Sequence, residues 1–407
     1  MDSKDPKKNL QILTFAAFVR MLGISIIDFI LVIYAISLGG DPFLSGIAVG
    51  MFSIAQVLFQ IPVAKLSDRI GRKKTLLMGM TIYALGTFLC GISRNIFHLT
   101  IFRFIQGSGA YISVIQAFIG DLFPSEKRGR AMSYYQSGVT IGYAIGLPLG
   151  GFCASIFLNL PFFVNLGFIL TSIILIYIFI DDLPPLKQRL EHNYEHKINY
   201  REDFFKNKLY LLTIFTDCFV VFVFSSLLVF IAPYAQTLGL ETFEFSIIMV
   251  PLVFLMTFGF FLGGRYGDRV GRSNAIFLGL SIAGTFLLIQ AVVSTPFFLI
   301  LIAAVVIMGI GIAWPTIPAL ILDSVSEQCR ATGSSIYNVF RYSANALGPI
   351  IMGYIIGIFS TSPEDIGTGV RISYIISGII YLVLCIIVFI FLRRYEMEKK
   401  RLCSSQE

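Results

Sequence analysis

Twelve times in 407 residues the chain runs for about twenty positions of predominantly apolar side chains. A run of that length is what one helix needs to cross the roughly 30 Å hydrocarbon layer of a bilayer. Only 14% of the residues are charged, against roughly 25% in soluble domains, so a water-soluble core could not hide this much apolar surface. Inside lipid every backbone N–H and C=O must find a partner within the protein, which leaves helices or a closed barrel. Barrel strands would alternate apolar and polar residues over about ten positions, and these runs do not alternate. The expected fold class is therefore an all-α polytopic membrane protein.

The runs cover 11–36, 43–64, 75–93, 96–121, 130–157 and 160–180, then 209–238, 244–264, 274–294, 296–323, 330–359 and 371–394. The first follows "MDSKDPKKNLQ", is too long for a signal-peptide core and lacks a small-residue cleavage site, so it reads as retained. Lys and Arg collect at 4, 7 and 8, at 65, 69 and 72–74, at 127, 128 and 130, through the central segment, at 265, 269, 272 and 330, and from Arg393 onward. The opposite loops hold only Arg94 and Arg371. That bias puts both termini in the cytoplasm of a plasma-membrane protein, and it accounts for the net charge of +7 without nucleic acid. Six cysteines without paired spacing suggest neither a disulfide framework nor a metal site. His192 and His196, one helical turn apart beside Glu191 and Glu195, read as a solvated face rather than metal ligands. No cofactor is expected.

Within this apolar chain, "AKLSDRIGRKK" at 64–74 concentrates charge, and "GRYGDRVGRSN" at 264–274 repeats it. Asp68, Arg69, Gly71 and Arg72 recur 200 positions later as Asp268, Arg269, Gly271 and Arg272. "YAISLG" (34–39) likewise returns as "YAQTLG" (234–239). With a slip to 202, Gly107 and Gly109 meet Gly309 and Gly311, Asp121 meets Asp323, and Gly146 meets Gly348. The one long polar interior stretch, 181–208, separates an N-terminal six-helix bundle (1–180) from a C-terminal one with a short tail (209–407). Six spans is an even number, so the halves are parallel repeats, an arrangement suited to alternating access around a central site.

The first charged knot resembles the signature loop between spans two and three of the major facilitator superfamily, G-x-L-x-D-R-x-G-R-[RK]-x, with Ala64 in place of the first Gly. The second copy, the twelve spans and the long central loop extend the resemblance over nearly the whole chain. It implies a transporter of the rocker-switch kind. It also implies that Asp68 faces the start of span eleven, with Arg341 a possible partner, and that Asp268 faces the start of span five. Asp121 and Asp323 would then join Arg72 and Arg272 in a cytoplasmic cluster, and the knots would act as a conformational latch. The residues themselves support part of this: Gly71 and Gly271 suit a tight turn, and an acid can meet the positive end of a helix dipole. Basic residues that merely hold the loop inside would explain Lys73 and Lys74, but not an acid and a glycine kept in register twice.

Ionisable side chains within spanning helices are rare and usually functional. Here they are Arg20 and Asp28 in span one, Arg103 in span four, Asp217 in span seven and Arg341 in span eleven. At 1.5 Å per residue, Asp28 and Arg103 both lie roughly 12 Å from the outer edge, while Arg20 and Asp217 lie at similar depth from the inner one. Facing pairs are thus conceivable. "RFIQGSGA" (103–110) resembles the span-four motif frequent among proton-coupled members of the family, with Arg103, Gln106, Gly107 and Ala110 on one helix face. Asp28 is similar to the span-one acid of drug:proton antiporters. These resemblances imply proton coupling through Asp28 and Arg103, with Asp217 a second candidate; a permanent structural ion pair is the alternative. "GVTIGYAIGLPLGG" (138–151) resembles the antiporter motif of span five, with Gly138, Gly142 and Gly146 on one face and Pro148 one place late. Gly348 and Pro349 give span eleven a closer Gly-Pro. Pro315 and Pro318 should bend span ten and place Trp314 near the cavity, unless it packs against lipid.

The resulting expectation is proton-coupled efflux of lipophilic or cationic small molecules by a monomeric transporter in the lipid bilayer. A proton-coupled uptake symporter for a small organic solute such as a sugar or organic acid is the rival. A receptor or scaffold without transport is a rival of another class. No P-loop or catalytic constellation supports an enzyme or an ATP-driven pump.

Overall fold

A computed structural model describes residues 6–123, 125–180, 206–325, 330–360, 366–392 and 394. Within these residues the chain is helical, with no strand. The sequence-predicted interior linker lies outside them apart from 206–208, as do His192, His196, Cys329 and Cys403. The first helices are α1 (Pro6–Ser37), α2 (Pro42–Ile70), α3 (Arg72–Gly91), α4 (Ile96–Ser108), α5 (Ile112–Leu122), α6 (Ser125–Ile156) and α7 (Leu160–Phe179). They are followed by α8 (Lys208–Thr237), α9 (Thr242–Val270), α10 (Arg272–Gln290), α11 (Pro296–Ala313), α12 (Thr316–Ser324), α13 (Arg330–Phe359) and α14 (Gly367–Ile387), which runs into a short π-helical turn, Val388–Leu392. Short polar residues start several of them. Asp41, Asn95 and Asn207 each accept a backbone N–H of the first turn, at 2.7, 2.8 and 3.1 Å.

Among the described residues eleven segments are long and apolar enough to cross a membrane. The expected twelfth, 96–121, is instead two consecutive helices of 13 and 11 residues. The helix stops at Gly109, and Ala110 takes a left-handed φ of +38° before α5 begins. Nothing in the apolar pattern marks that break, because "GSGAYIS" carries no proline and stays hydrophobic on both sides. The tenth span breaks as its prolines imply, α11 ending at Ala313 and α12 starting at Thr316.

The chain forms two compact units, Met1–Tyr194 with Glu241–Val250 and Glu195–Leu240 with Pro251–Glu407. Their backbones repeat one another. The positive-φ glycines among the described residues fall into two pairs 200 positions apart, Gly39 (+84°) with Gly239 (+85°) and Gly71 (+106°) with Gly271 (+111°). Gly71 and Gly271 separate α2 from α3 and α9 from α10 at the charged knots. An L side chain is strained there by about 1–3 kcal/mol. Gly71→Ala is expected to lower the thermal unfolding midpoint of the detergent-solubilised protein; an unchanged midpoint would mean that the turn is not held in this conformation.

Close helix packing in the first unit follows from a glycine every turn of α6. A Cβ on Gly138, Gly142, Gly146 or Gly150 would run into Thr14, Phe18, Leu22 or Ile26 of α1, mostly at main-chain carbonyl oxygens. The second unit repeats one rung: Gly348 of α13 lies against Phe222 of α8 as Gly146 lies against Leu22. Pro148 and Pro349 sit inside α6 and α13. A Cβ on Gly79 would approach the Gly109 carbonyl oxygen to 2.5 Å, and one on Gly279 that of Gly309 to 2.5 Å. Packing therefore matches Gly109 with Gly309, correcting the slipped match of Gly107 with Gly309. The first unit closes around Tyr83, Tyr111, Phe118 and Phe162, the second around Tyr210, Phe230, Tyr374 and Tyr381, all fully buried.

Candidate functional site

Among the described residues each unit holds one ion pair in the interior of its spans, away from the charged knots. In the first, Arg103 of α4 donates from Nη2 to Asp28 Oδ1 of α1 at 3.2 Å and from Nη1 to Gln106 Oε1 at 2.8 Å. Gln106 Nε2 donates in turn to Thr87 Oγ1 (2.8 Å), whose hydroxyl donates to the Tyr83 carbonyl (2.8 Å). The guanidinium carbon stands 4.7 Å from the Phe52 ring centroid. So the arginine is fixed by a chain of polar groups reaching α3, and its side chain is 4% exposed. The Asp28 side chain is 26% exposed. The carboxylate is the accessible member of this pair.

Eight residues before Asp28, Arg20 points to a different face of α1. Its Nη2 donates to Gln56 Oε1 at 3.3 Å, and its guanidinium lies 4.6 Å from the Tyr111 ring and 5.9 Å from that of Tyr83. Gln56 Nε2 donates to the Gly107 carbonyl at 2.6 Å, and Asn165 Nδ2 to the Tyr83 hydroxyl at 3.2 Å. Matching depths had made Arg20 and Asp217 conceivable partners, but Arg20 is anchored among α2, α3 and α5 instead. Its aromatic neighbours add a cation–π attraction to its hydrogen bond with Gln56.

In the second unit, Arg341 of α13 donates from Nη1 to Asp217 Oδ1 of α8 at 3.4 Å and also to the Tyr337 hydroxyl one turn earlier. Its guanidinium carbon lies 4.5 Å from the Trp314 ring centroid, and Phe224 packs against the same indole with ring centroids 4.9 Å apart, tilted by 63°. The break between α11 and α12 is what sets Trp314 there. This is a correction for Arg341, expected at the cytoplasmic knot: it lies eleven residues into α13, about 16 Å along the axis from Arg330, too deep to serve at the helix start. Exposure here is reversed, Asp217 being 3% exposed and Arg341 20%.

At the knots, Arg72 donates from Nε to Asp121 Oδ2 at 2.8 Å, pairs with Asp68 at 2.7 Å and reaches Ser67 Oγ at 3.0 Å. Arg272 pairs with Asp323 at 3.1 Å. Each of these contacts lies inside one unit. Arg69 and Arg269 end α2 and α9 as exposed side chains, and Asp268 is exposed beside the latter. Arg72 is the buried hub of the first knot; its counterpart Arg272 is more open, with Asp323 half-exposed. Neutral residues that carry these sites, Gln56, Thr87, Asn165 and Tyr337, went unread in the sequence. The one available signal was an amide or hydroxyl inside an apolar run, which marks many positions of no special role.

The two buried pairs are not copies of one another. At the repeat offsets Asp28 corresponds to Leu228, Arg103 to Ala303 or Val305, Asp217 to Ala17 and Arg341 to Val139. Packing in this architecture therefore does not require a charge at either place, because each position is apolar in the other half.

An all-helical membrane protein with a repeated backbone and ion pairs sunk among its helices belongs to the class that contains the secondary transporters. Residues 13–349, and in a second match 258–404, fit the Major Facilitator Superfamily, and the chain belongs to that family. Its family and fold are not those of enzymes. The chain is 36% identical over 132 residues to the inner membrane transport protein YajR of Escherichia coli K12, a match spanning 32% of this chain and 29% of YajR. It is 24% identical over 401 residues to Multidrug resistance protein 1 of Bacillus subtilis strain 168, covering 90% of this chain and 97% of that one. In fold it is similar to a bacterial homologue of the human lysosomal transporter Spinster, with a TM-score of 0.82 and 18% identity over 98% of this chain and 99% of that one.

Proposed function

We propose that this protein is a secondary active transporter that exports lipophilic or cationic small molecules across the plasma membrane in exchange for protons. The observation that carries the reading is the Asp28–Arg103 pair, in which an accessible carboxylate faces an arginine locked from behind by Gln106. Burial favours the neutral acid and the guanidinium favours the anion, so modest movement of either helix shifts the balance between them. A proton and a cationic cargo then compete for one carboxylate, which is the coupling that antiport needs. The similarity to Multidrug resistance protein 1 supports the same direction.

In this reading the two units rock about a central cavity with both termini in the cytoplasm, Asp217 is a second proton-accepting candidate, and the protein works as a monomer. The charged knot at Asp68 acts as the latch: a couple of kcal/mol gained there in one conformation alone, beyond its contacts within the unit, shifts a two-state balance by more than about tenfold. Asp68→Asn should cut transport by roughly tenfold at unchanged membrane abundance. Full transport by that variant would remove the latch from the mechanism.

The overall reading is tested in proteoliposomes under an imposed pH gradient, with dyes, drugs, sugars and organic acids as cargoes. Uphill cargo movement against the proton flow supports exchange. Movement in the same direction as the protons overturns it in favour of symport.

A further inference from the structure

We propose that Arg341, lying on Trp314, receives the carboxylate of a ligand, and that Asp217 is the built-in competitor which gives way to it on taking up a proton. This goes beyond the reading above, since it assigns the second unit a recognition site for an anionic group.

The two ion pairs differ in which partner can be reached. In the first unit the acid is the accessible member of the pair, at 26% against 4% for Arg103. In the second, Arg341 is 20% exposed and Asp217 lies behind it at 3%. An incoming molecule meets a guanidinium, and a guanidinium presents a planar fork of donors matched to a carboxylate. Trp314 and Phe224 offer an apolar wall directly beside it for the rest of that molecule.

Asp217 is incompletely served. Arg341 reaches Oδ1 at a long 3.4 Å, while Oδ2 is buried with no hydrogen-bond partner among the described residues. A pair kept only for packing would gain from satisfying both oxygens, since unmet buried polar atoms are costly. Around Asp217 stand Arg341 and Tyr337 from α13, the tyrosine hydroxyl within bonding reach of the carboxyl, Tyr381 from α14, whose hydroxyl donates to the Val220 carbonyl at 3.0 Å, and Cys218 next along α8. Arg341 is thus the counter-charge within reach of the acid.

Charge balance selects the ligand. With Asp217 ionised and Arg341 bound to it, the site is neutral. When a proton from water binds an Asp217 oxygen and a ligand carboxylate takes its place at Arg341, the site is neutral again, with one proton and one anion gained together. A cation that displaced Arg341 from Asp217 would leave a surplus positive charge in a medium where charge is expensive. The non-repetition of the pair fits a role other than packing, because apolar Ala17 and Val139 fill the equivalent places in the first half.

Trp314 is the single tryptophan of the chain, so its fluorescence reports this site alone. In dodecyl maltoside the purified protein would be titrated with hexanoate, hexyltrimethylammonium and hexanol, which share one tail. Hexanoate should change the emission saturably with a half-saturation at least about tenfold below the other two, and more tightly as pH falls from about 8 to about 6. About one proton should be taken up per hexanoate bound in weakly buffered solution. Arg341→Gln should lose the preference, and Arg341→Lys should retain part of it. Asp217→Asn should bind hexanoate roughly tenfold more tightly, without pH dependence and without proton uptake, a gain that misfolding cannot produce. Equal or tighter binding of hexyltrimethylammonium, an unchanged preference in Arg341→Gln, or absent proton uptake by the wild type would each overturn the proposal. The measurement is of binding, so failure of pH-driven exchange in vesicles would leave it standing.

Discussion

Asp28→Asn should abolish uphill, pH-driven transport, by about a hundredfold or more, while cargo exchange down its own gradient persists. The asparagine keeps the size and one acceptor of the carboxylate, so the contact with Arg103 at 3.2 Å can be maintained in outline. What it loses is the ability to bind and release a proton. Complete removal of one member of a buried pair costs about 3–5 kcal/mol by stranding the other charge, which is why Asn rather than Ala is the informative change. Arg103 remains held by Gln106 and stacked over Phe52, so the fold should survive. Purified variant in proteoliposomes would show exchange of labelled for unlabelled cargo but no accumulation under a pH gradient. Asp28→Glu should restore accumulation in part. Undiminished uphill transport by Asp28→Asn would remove this carboxylate from the coupling step.

The second large effect concerns assembly. Gly142→Ala adds one methyl group, which meets the Phe18 carbonyl oxygen and lies 3.2 Å from the Leu22 backbone nitrogen. Those atoms are main chain and cannot swing aside, so α1 and α6 must part along an interface that glycines line for four turns. Overpacking of this kind costs about 1–3 kcal/mol, occasionally more. Gly167→Ala in α7 is the matched control, because a Cβ there meets nothing within 4 Å. It should gain up to about 1 kcal/mol from helix propensity. Thermal unfolding in detergent should therefore move in opposite directions for the two alanines, downward at 142 and upward or not at all at 167. A parallel response would mean that the α1–α6 contact is looser than described.

What could be read from residue order was whatever follows from long-range pattern. Apolar length located the spans, and the echo of "SDRIGRKK" in "GDRVGRSN" placed Gly71 and Gly271, whose φ angles agree to within a few degrees. Charges buried in lipid are costly enough to stand out, so Asp28, Arg103, Asp217 and Arg341 were all visible. Their partners were only partly visible, because pairing depends on helix rotation, which a hydrophobic run does not encode. Arg341 was drawn to the knot by its helix and belongs with Asp217; Arg20 was drawn to an acid and belongs with Gln56 and two tyrosines. The break at Ala110 has no mark in the sequence for a related reason. It arises where α3 and α4 touch main chain to main chain, a tertiary contact without a proline to announce it.

The mismatch between what the halves share and what they do not bears on how such a protein can be rearranged. Turns and helix seams are common to the two halves, as the paired glycines Gly39 and Gly239, Gly71 and Gly271, and Gly79 and Gly279 show. The charged knots are common to both halves as well, whereas the ion pairs Asp28–Arg103 and Asp217–Arg341 each belong to one half alone. Shuffling experiments can use this: a protein built from two first halves would possess every mechanical joint and present two acids to its cargo, whereas two second halves would present two arginines. If the proposed roles of Asp28 and Arg341 hold, grafting a few side chains onto a frame that does not need them to stand should exchange the cargo preference of one half for that of the other.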